Sequence, residues 1–312
     1  MPAFAFVFPG QGSQSVGMLD AWGDHPAVRD TLAEASAALG EDLGALIRGG
    51  PKEALDLTTH TQPVMLAAGI ACYRAWCAEG GTEPAALAGH SLGEFTALVV
   101  AGALSLADAL PLVRLRGRAM QDAVPVGQGA MAAILGLDAE TVRAACDTVV
   151  AKTGEFVAPA NFNDPKQTVI SGNKAGVDAA CDLLRDAGAK RTLLLPVSAP
   201  FHSALMKPAA EMLRERLAAV TISAPRIPVV NNIDVAVQTQ PDAIRDALYR
   251  QAYGPVRWVE VVQALRARGL VHIFECGPGR VLTGLVKRID PELISAPVLD
   301  PTSLADAKAL LA

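Results

Sequence analysis

The sequence predicts an α/β fold in which a parallel sheet is covered by helices and interrupted by a small inserted subdomain. Short apolar strands alternate with helical stretches through most of the 312 residues, which is typical of a parallel sheet with helices on both faces. A G-x-S-x-G pentapeptide at 89–93 lies between an apolar strand and a helix. The segment 129–196 has instead the order β-α-β-β-α-β, which is the ferredoxin-like order.

The elements outside the insert follow from apolar spacing and from glycine and proline breakers. Residues 4–8 are all apolar and end at the Gly-rich turn 10–13, so they are predicted as the first strand. The spacing then predicts helices over 27–39, 62–78 and 106–120, with a strand and a helix around Ser91. After the insert it predicts a helix over 203–220, a strand at 228–231, a helix over 258–268 and a strand at 271–276.

The insert itself is predicted to be a separate subdomain. Its strands are expected at 130–135, 156–161, 168–170 and 191–195, and its helices at 139–150 and 174–187. Proline and glycine residues flank it on both sides. We therefore expect a large domain built from residues 1–126 and 198–312 and a small subdomain of residues 127–197. A cleft between the two is the default place for a ligand.

Bulk composition excludes several classes of protein. The net charge of -5 provides no basic field for nucleic acid. No apolar run reaches the length of a membrane span, and no signal peptide is recognisable at the start. The five cysteines are scattered without a C-x-x-C pair, which fits reduced thiols better than disulfides or a zinc site. We expect a cytoplasmic enzyme, monomeric by default, with no metal.

Ser91 is the candidate nucleophile. A serine at the centre of G-x-S-x-G, between a strand and a helix, lies on a tight turn that exposes its hydroxyl above the helix N-terminus. This pattern predicts an acyl-enzyme. The loop 10–14 has two interpretations: half of a dinucleotide fingerprint, with Ser15 in place of the last glycine, or a source of one oxyanion-hole N–H beside that of Leu92.

His202 is the candidate base among the five histidines. It lies in a proline-bounded loop that opens a helix, where catalytic side chains are often presented, although solvent exposure fits a lone loop histidine equally well. His25 and His60 are expected at the surface, His272 in the core, and His90 beside the nucleophile as a supporting residue. No acid stands out between the serine and this base, so a backbone carbonyl could orient the imidazole instead.

Arg116 is the second informative residue, because it falls on the apolar stripe of the predicted helix 106–120. A guanidinium that faces the interior must be paired or must face a polar cavity. Two interpretations are open: a structural buried salt bridge, or a bidentate clamp for a carboxylate or phosphate of the substrate.

Taken together, the motifs resemble those of the malonyl-CoA:acyl carrier protein transacylase family of bacterial type II fatty acid synthesis. The matches keep their order from about residue 4 to residue 300. They are Phe8-Pro9-Gly10-Gln11-Gly12-Ser13-Gln14, Thr61-Gln62-Pro63, Gly89-His90-Ser91-Leu92-Gly93-Glu94, Arg116-Gly117, Gly129-Ala130-Met131, Asn161-Phe162-Asn163, His202 with Ala204-Leu205-Met206, Gln251 with Pro255-Val256-Arg257-Trp258, and Gly277-Pro278-Gly279. The resemblance implies an α/β-hydrolase-like domain with an inserted ferredoxin-like subdomain.

The resemblance also implies a role for each matching residue. Ser91 would be the nucleophile and His202 the base, oriented by the backbone carbonyl of Gln251. The backbone N–H groups of Gln11 and Leu92 would form the oxyanion hole. Further residues implied at the substrate pocket are Arg116, which would hold the free carboxylate of malonate, Gln62, His90, Phe201 and Asn161.

The implied reaction moves a malonyl group from malonyl-CoA to the phosphopantetheine thiol of acyl carrier protein through a malonyl-serine intermediate, without a cofactor. The bulk of Phe201 predicts selection of malonyl over methylmalonyl. An acidic carrier protein would need a basic patch on this acidic chain. The candidates, for which solvated surface charge is an equally good interpretation, are Lys190, Arg191, Lys287 and Arg288.

Two other functions share part of the pattern. A serine esterase or thioesterase has the same elbow, but it transfers the acyl group to water and has no need of Arg116. A non-catalytic carrier-binding or nucleotide-binding module could use the loop after the first strand. Its dinucleotide form requires an acid at the end of a second strand, and Asp30 falls in a helical stretch instead.

Overall fold

The computed structural model describes residues 2–197 and 199–312, which form one parallel and one antiparallel sheet. The predicted resumption of the large domain at residue 198 lies outside the described residues, as does residue 1. The described strands are, in chain order, β1 (Phe4–Phe8), β2 (Ala86–Gly89), β3 (Gly129–Leu135), β4 (Val157–Asp164), β5 (Gln167–Asn173), β6 (Arg191–Leu194), β7 (Val229–Val230), β8 (His272–Cys276) and β9 (Pro297–Val298).

Helices pack against both sheets. Those of the described residues are, in chain order, α1 (Pro26–Leu39), α2 (Leu43–Gly49), α3 (Lys52–Leu55), α4 (Thr58–Ala78), α5 (Gly93–Val100), α6 (Leu106–Asp122), α7 (Ala139–Thr153), α8 (Lys174–Asp186), α9 (Lys207–Ala218), α10 (Pro241–Tyr253), α11 (Trp258–Ala267), α12 (Val281–Ile289) and α13 (Pro301–Ala309). The fold class predicted from the sequence, an α/β protein with a second small sheet, is confirmed.

The parallel sheet has the order β7-β2-β1-β8-β9, with β1 at its centre. Ala5 pairs with Ala86 of β2 and with Ile273 of β8, and every residue of β1 is buried. A strand covered on both faces needs apolar side chains throughout, which explains the unbroken apolar run at 4–8. The carboxyl ends of β1, β2 and β7 meet at one edge, where α/β sheets bind their ligands.

The antiparallel sheet has the order β4-β5-β3-β6, and α7 and α8 cover one of its faces. The element order 129–194 is the predicted β-α-β-β-α-β. One detail differs: the strand predicted at 156–161 extends further, because Asn163 and Asp164 also belong to β4. Only Pro165 and Lys166 form the turn, because Asp164 Oδ1 accepts the Lys166 N–H at 2.8 Å and closes it within two residues.

Several element boundaries also shift. The helix predicted over 203–220 is a short 3-10 turn at Ala204–Met206 followed by α9, in which a proline occupies the first turn. The helix α4 begins at Thr58, so His60 lies inside it. The strand β9 has two residues, which is too short for an alternation pattern to predict.

β4 of the antiparallel sheet also forms hydrogen bonds outside its own sheet. The Val256 N–H donates to the Ala160 carbonyl at 2.8 Å, and the Phe162 N–H donates to the Val256 carbonyl at 2.9 Å. At the end of the same strand, Arg288 Nε of α12 donates to Asp164 Oδ2 at 2.7 Å. The first two bonds hold β4 against the segment between α10 and α11, and the third holds it against α12.

Across the described residues, none of the helices combines the length and the apolar character that a membrane crossing requires.

Candidate active site

Ser91 lies on a strained turn between β2 and α5. Its φ of 52° is in the left-handed region, which is unfavourable for a residue with a Cβ. A Cβ at Gly89 would lie 1.9 Å from the Gly93 carbonyl carbon, and a Cβ at Gly93 would lie 2.0 Å from the Phe8 carbonyl oxygen. The two glycines of the pentapeptide are therefore required by close backbone approach, and the turn projects the hydroxyl of Ser91 into the cleft.

His202 lies against this hydroxyl. Its Nε2 is 2.7 Å from Ser91 Oγ, and its Nδ1 is 3.0 Å from the Gln251 carbonyl and 3.1 Å from the Gly254 carbonyl. Two carbonyl acceptors require the hydrogen on Nδ1, so Nε2 carries the lone pair that can accept the serine proton. The sequence predicted the Gln251 carbonyl in this position and missed that of Gly254.

The pKa of His202 is lowered to about 3, mainly by burial and to a smaller extent by the charges of Arg116 and His90. The imidazole is therefore neutral at physiological pH, which is the protonation state of a general base. The two carbonyl groups oppose this shift, but they do not outweigh the burial of a side chain that is 6% exposed.

Arg116 of α6 is 3% exposed, and its guanidinium is directed at the nucleophile. It donates to Gln62 Oε1 at 2.9 Å, to Gln251 Oε1 at 3.0 Å and to Ser91 Oγ at 3.2 Å. None of the ion pairs found among the described residues involves Arg116, so its partners are neutral and the structural salt-bridge interpretation lacks an acid. Burial lowers its pKa to about 10, which leaves it cationic. The arrangement suits an incoming carboxylate.

Gln11 and Leu92 line the same cavity as Ser91. Leu92 precedes the first residue of α5, where backbone N–H groups have no acceptor within the helix and the helix dipole favours negative charge. The side chain of Gln11 accepts a 2.5 Å hydrogen bond from Thr58 Oγ1, which anchors its loop to α4. The geometry is compatible with two N–H groups that converge on a thioester oxygen.

A cavity of about 120 Å³ lies between the parallel sheet and the open face of the antiparallel sheet. It is lined by Gln11, Gln62, His90, Ser91, Leu92, Arg116, Met120, Met131, Asn161, Leu195, Val197, Phe201 and His202. The structure thus brings all the pocket residues implied by the resemblance to one place. The four candidate docking residues lie outside this lining. They are exposed, and one of them, Arg288, is engaged by Asp164.

Two buried residues of the site were missed by the sequence analysis. Asn232, which follows β7, accepts the Ser91 N–H at 2.7 Å and donates Nδ2 to the Gly89 carbonyl at 2.7 Å. Glu94 of α5 accepts the Asn232 N–H at 2.8 Å and is 2% exposed. The signal for Glu94 was present, since it is the one charged residue in a helix, 93–100, that is otherwise uncharged and mostly apolar.

Comparison with known proteins gives one consistent family. The acyl transferase domain model matches residues 5–288. The malonyl CoA-acyl carrier protein transacylase of Escherichia coli (strain K12) is 54% identical over 308 residues, covering 98% of this chain and 99% of that protein.

Two solved structures are equally similar in fold. The acyl-carrier-protein S-malonyltransferase of Burkholderia pseudomallei 1710b has a TM-score of 0.96 at 62% identity, over 98% of this chain and 99% of the other. A malonyl-transacylase in complex with a type II PKS acyl-carrier protein has a TM-score of 0.96 at 51% identity, over 98% of both chains.

Proposed function

The chain belongs to the malonyl CoA-acyl carrier protein transacylase family, and we propose that its reaction proceeds through a malonyl ester on Ser91. It is an acyltransferase that moves malonyl from malonyl-CoA to acyl carrier protein in fatty acid biosynthesis. One observation supports the site assignment most strongly: Ser91 Oγ lies 2.7 Å from the neutral base His202 and 3.2 Å from the buried cation Arg116. The nucleophile therefore has a proton acceptor on one side and a carboxylate-binding group on the other.

The first half-reaction acylates the enzyme. Ser91 Oγ attacks the thioester carbonyl of malonyl-CoA while His202 Nε2 takes its proton. The N–H groups of Gln11 and Leu92 stabilise the oxyanion of the tetrahedral intermediate. When the C–S bond breaks, the imidazolium returns the proton to the sulfur, and CoA leaves as a thiol. The carbonyls of Gln251 and Gly254 stabilise the imidazolium while it exists.

The second half-reaction reverses these steps with a new thiol. The phosphopantetheine sulfur of the carrier protein loses its proton to His202 and attacks the malonyl ester. The ester C–O bond breaks and Ser91 regains its proton, so the enzyme returns unchanged. Throughout, Arg116 binds the free carboxylate of malonate in place of its bond to Ser91 Oγ, with Gln62 and Gln251 keeping the guanidinium in plane.

The surroundings of the site support further parts of the proposal. We take residues 1–126 and 198–312 as the large domain and 127–197 as the small subdomain, with the cavity between them. His90 Nε2 donates a 2.8 Å hydrogen bond to Asn163 Oδ1, and Asn161 and Phe201 line the cavity. Phe201 is the group expected to exclude a 2-methyl branch.

The chain acts as a cytoplasmic monomer in this proposal and docks the carrier protein through Lys190, Arg191 and Lys287.

The decisive experiment is intact-protein mass spectrometry after incubation with malonyl-CoA. We expect a malonyl adduct that maps to Ser91, is absent in Ser91→Ala, and disappears when acyl carrier protein is added, with malonyl-carrier protein as the product. Release of free malonate at the same rate with and without the carrier protein would instead identify a thioesterase. Absence of any adduct on a folded protein contradicts the covalent mechanism.

A further inference from the structure

Glu94 is a buried acid that the reaction described above does not use. It lies in the first turn of α5, three residues after the nucleophile, and is 2% exposed. None of the ion pairs among the described residues includes it. Its Oε2 accepts two hydrogen bonds, from the Asn232 N–H at 2.8 Å and from Gln251 Nε2 at 3.0 Å. Burial of a carboxyl group costs free energy that its hydrogen bonds only partly offset, so the presence of an acid at this position requires an explanation.

The bond to Gln251 determines which way that carboxamide faces. Nε2 donates to Glu94 Oε2 and to the Ser91 carbonyl, each at 3.0 Å, and this leaves Oε1 to accept from Arg116 Nη2 at 3.0 Å. If the carboxamide turned over, its NH₂ group would face the guanidinium, donor against donor. Glu94 Oε2 and the Ser91 carbonyl, the two acceptors of Nε2, together keep the one orientation in which Gln251 can hold Arg116.

The bond to Asn232 supports the nucleophile in the same way. The Asn232 side chain bridges the two ends of the strained turn, with Oδ1 on the Ser91 N–H and Nδ2 on the Gly89 carbonyl, each at 2.7 Å. Glu94 fixes the backbone from which that side chain extends. Glu94 Oε2 thus supports two parts of the site: the turn that carries Ser91, through Asn232, and the Gln251 carboxamide that bonds Arg116.

We propose that Glu94 is a positioning residue for acyl transfer, whose Oε2 orients the Gln251 carboxamide toward Arg116 and holds Asn232 behind the Ser91 turn. The proposal rests on the proposed function, because the alignment of Arg116 matters for an acyl group that carries a free carboxylate. Glu94 touches neither substrate nor the reacting atoms in this arrangement.

The role requires an acceptor oxygen rather than a negative charge. Burial raises the pKa of Glu94 to about 7, opposed by its hydrogen bonds from Gln251 and Asn232 and by the charge of Arg116, while Asp234 raises it slightly. The carboxyl group therefore changes its protonation near neutrality. A proton on Oε1 leaves Oε2 as a carbonyl-type acceptor for both bonds.

This distinction sets the order of three substitutions. Glu94→Gln keeps an acceptor oxygen at the same reach and removes the charge. Glu94→Asp keeps the charge and withdraws the oxygen by one methylene, and Glu94→Leu removes the acceptor. Single-turnover acylation of Ser91 by malonyl-CoA should fall less than about fivefold for Gln and more than about 30-fold for Asp and Leu, because loss of the acceptor leaves buried donors without a partner. With acetyl-CoA the loss in Glu94→Asp should be smaller, because acetate has no group for Arg116.

Glu275→Gln is the matched control. Glu275 is a second fully buried glutamate, bonded to Thr283 of α12 and not to the site, so its variant reports the general effect of neutralising a buried acid. A rate order of Asp above Gln, or equal rates for Gln and Asp, overturns the positioning role. The comparison of Glu94→Gln with Glu94→Asp tests the positioning role even if Glu94→Leu does not fold. Failure of the wild-type protein to form the malonyl adduct would refute the proposed function instead, which keeps the two failures distinguishable.

Discussion

Arg116 Nη2 donates a hydrogen bond to Ser91 Oγ over 3.2 Å, while His202 Nε2 lies 2.7 Å from the same oxygen. The cation and the base therefore share one hydroxyl group in the substrate-free enzyme. A carboxylate that binds Arg116 removes the hydrogen bond that lowers the nucleophilicity of this oxygen. In the proposed mechanism, substrate recognition and release of the nucleophile are therefore the same event, and an acyl chain without a carboxylate leaves Ser91 bonded to Arg116.

Replacing Arg116 should therefore separate two substrates. Arg116→Ala is expected to lower acylation by malonyl-CoA at least about 100-fold, since each charge-assisted hydrogen bond contributes ~1.5–3 kcal/mol, and to leave acylation by acetyl-CoA unchanged or faster. Single-turnover mass spectrometry with each thioester measures both rates. Arg118→Ala, on the exposed face of the same helix, is the control. Equal losses for both substrates in a folded variant would show that Arg116 is structural.

The low pKa of His202 predicts a pH dependence of stability. Between pH 7 and pH 5 the unfolded chain protonates this histidine and the folded protein does not, so unfolding becomes easier as the pH falls. The contribution is about 2 kcal/mol over that range for one proton. Urea unfolding of the wild type and of His202→Gln at the two pH values should show that the variant loses less stability.

The His202→Gln variant is needed because the titration of Glu94 changes the free energy of unfolding in the opposite direction. Its folded pKa of about 7 lies above the unfolded value, so the stability that it contributes is present at low pH and is lost as the pH rises toward 7. The difference between wild type and variant cancels this effect. An identical pH dependence in both proteins would mean that His202 is protonated in the folded state.

Asn232 should be required for the rate more than for binding. Asn232→Ala leaves the Ser91 N–H and the Gly89 carbonyl without partners, at a cost of ~1–3 kcal/mol for each buried group. We expect kcat to fall by about 10- to 100-fold with a smaller change in KM, because the turn relaxes while the pocket persists. Steady-state kinetics with Asn231→Ala as the adjacent buried control tests this expectation. A loss confined to KM would contradict it.

Phe201 should limit the size of the acyl group. It is half-buried at the cavity wall, packed against the open face of the antiparallel sheet. The wild type is expected to react at least about tenfold faster with malonyl-CoA than with methylmalonyl-CoA, because an overpacked methyl group costs ~1–3 kcal/mol. Phe201→Ser should lower this ratio of the two rates. Competition of the two thioesters, read by mass spectrometry, measures it. Equal wild-type rates would exclude this role.

The docking residues should affect only the second half-reaction. Lys190→Glu combined with Arg191→Glu is expected to slow transfer to the carrier protein at low salt and to leave acylation by malonyl-CoA unchanged. Lys152→Glu on α7 provides an exposed control elsewhere on the small subdomain. Lys287→Glu is a cleaner test of the other pair than any change at Arg288, which is tied to Asp164. Unchanged transfer in the double variant would exclude Lys190 and Arg191.

The sequence predicted the parts of the site that have local signals. The turn at Ser91 is specified by five adjacent residues, and the burial of Arg116 follows from helical spacing alone. Asn232 had no such signal, because its bond to Ser91 spans 141 positions and exists only where β2 and β7 end side by side. The second carbonyl on His202 was missed for the same reason. Such contacts depend on the order of the strands in the sheet, which cannot be read directly from one sequence.

Gln251 has consequences for redesign of the acyl specificity. Its backbone carbonyl holds the base, while its side chain holds the cation that recognises the acyl group. A substitution there intended to admit a different extender unit would also disturb the backbone that aligns His202. Variation is safer at Phe201, whose side chain lines the same cavity and has no polar atom to bond the base or Arg116. An engineered or evolving enzyme can change its acyl group from that wall while the hydrogen bonds of His202 and Arg116 are kept.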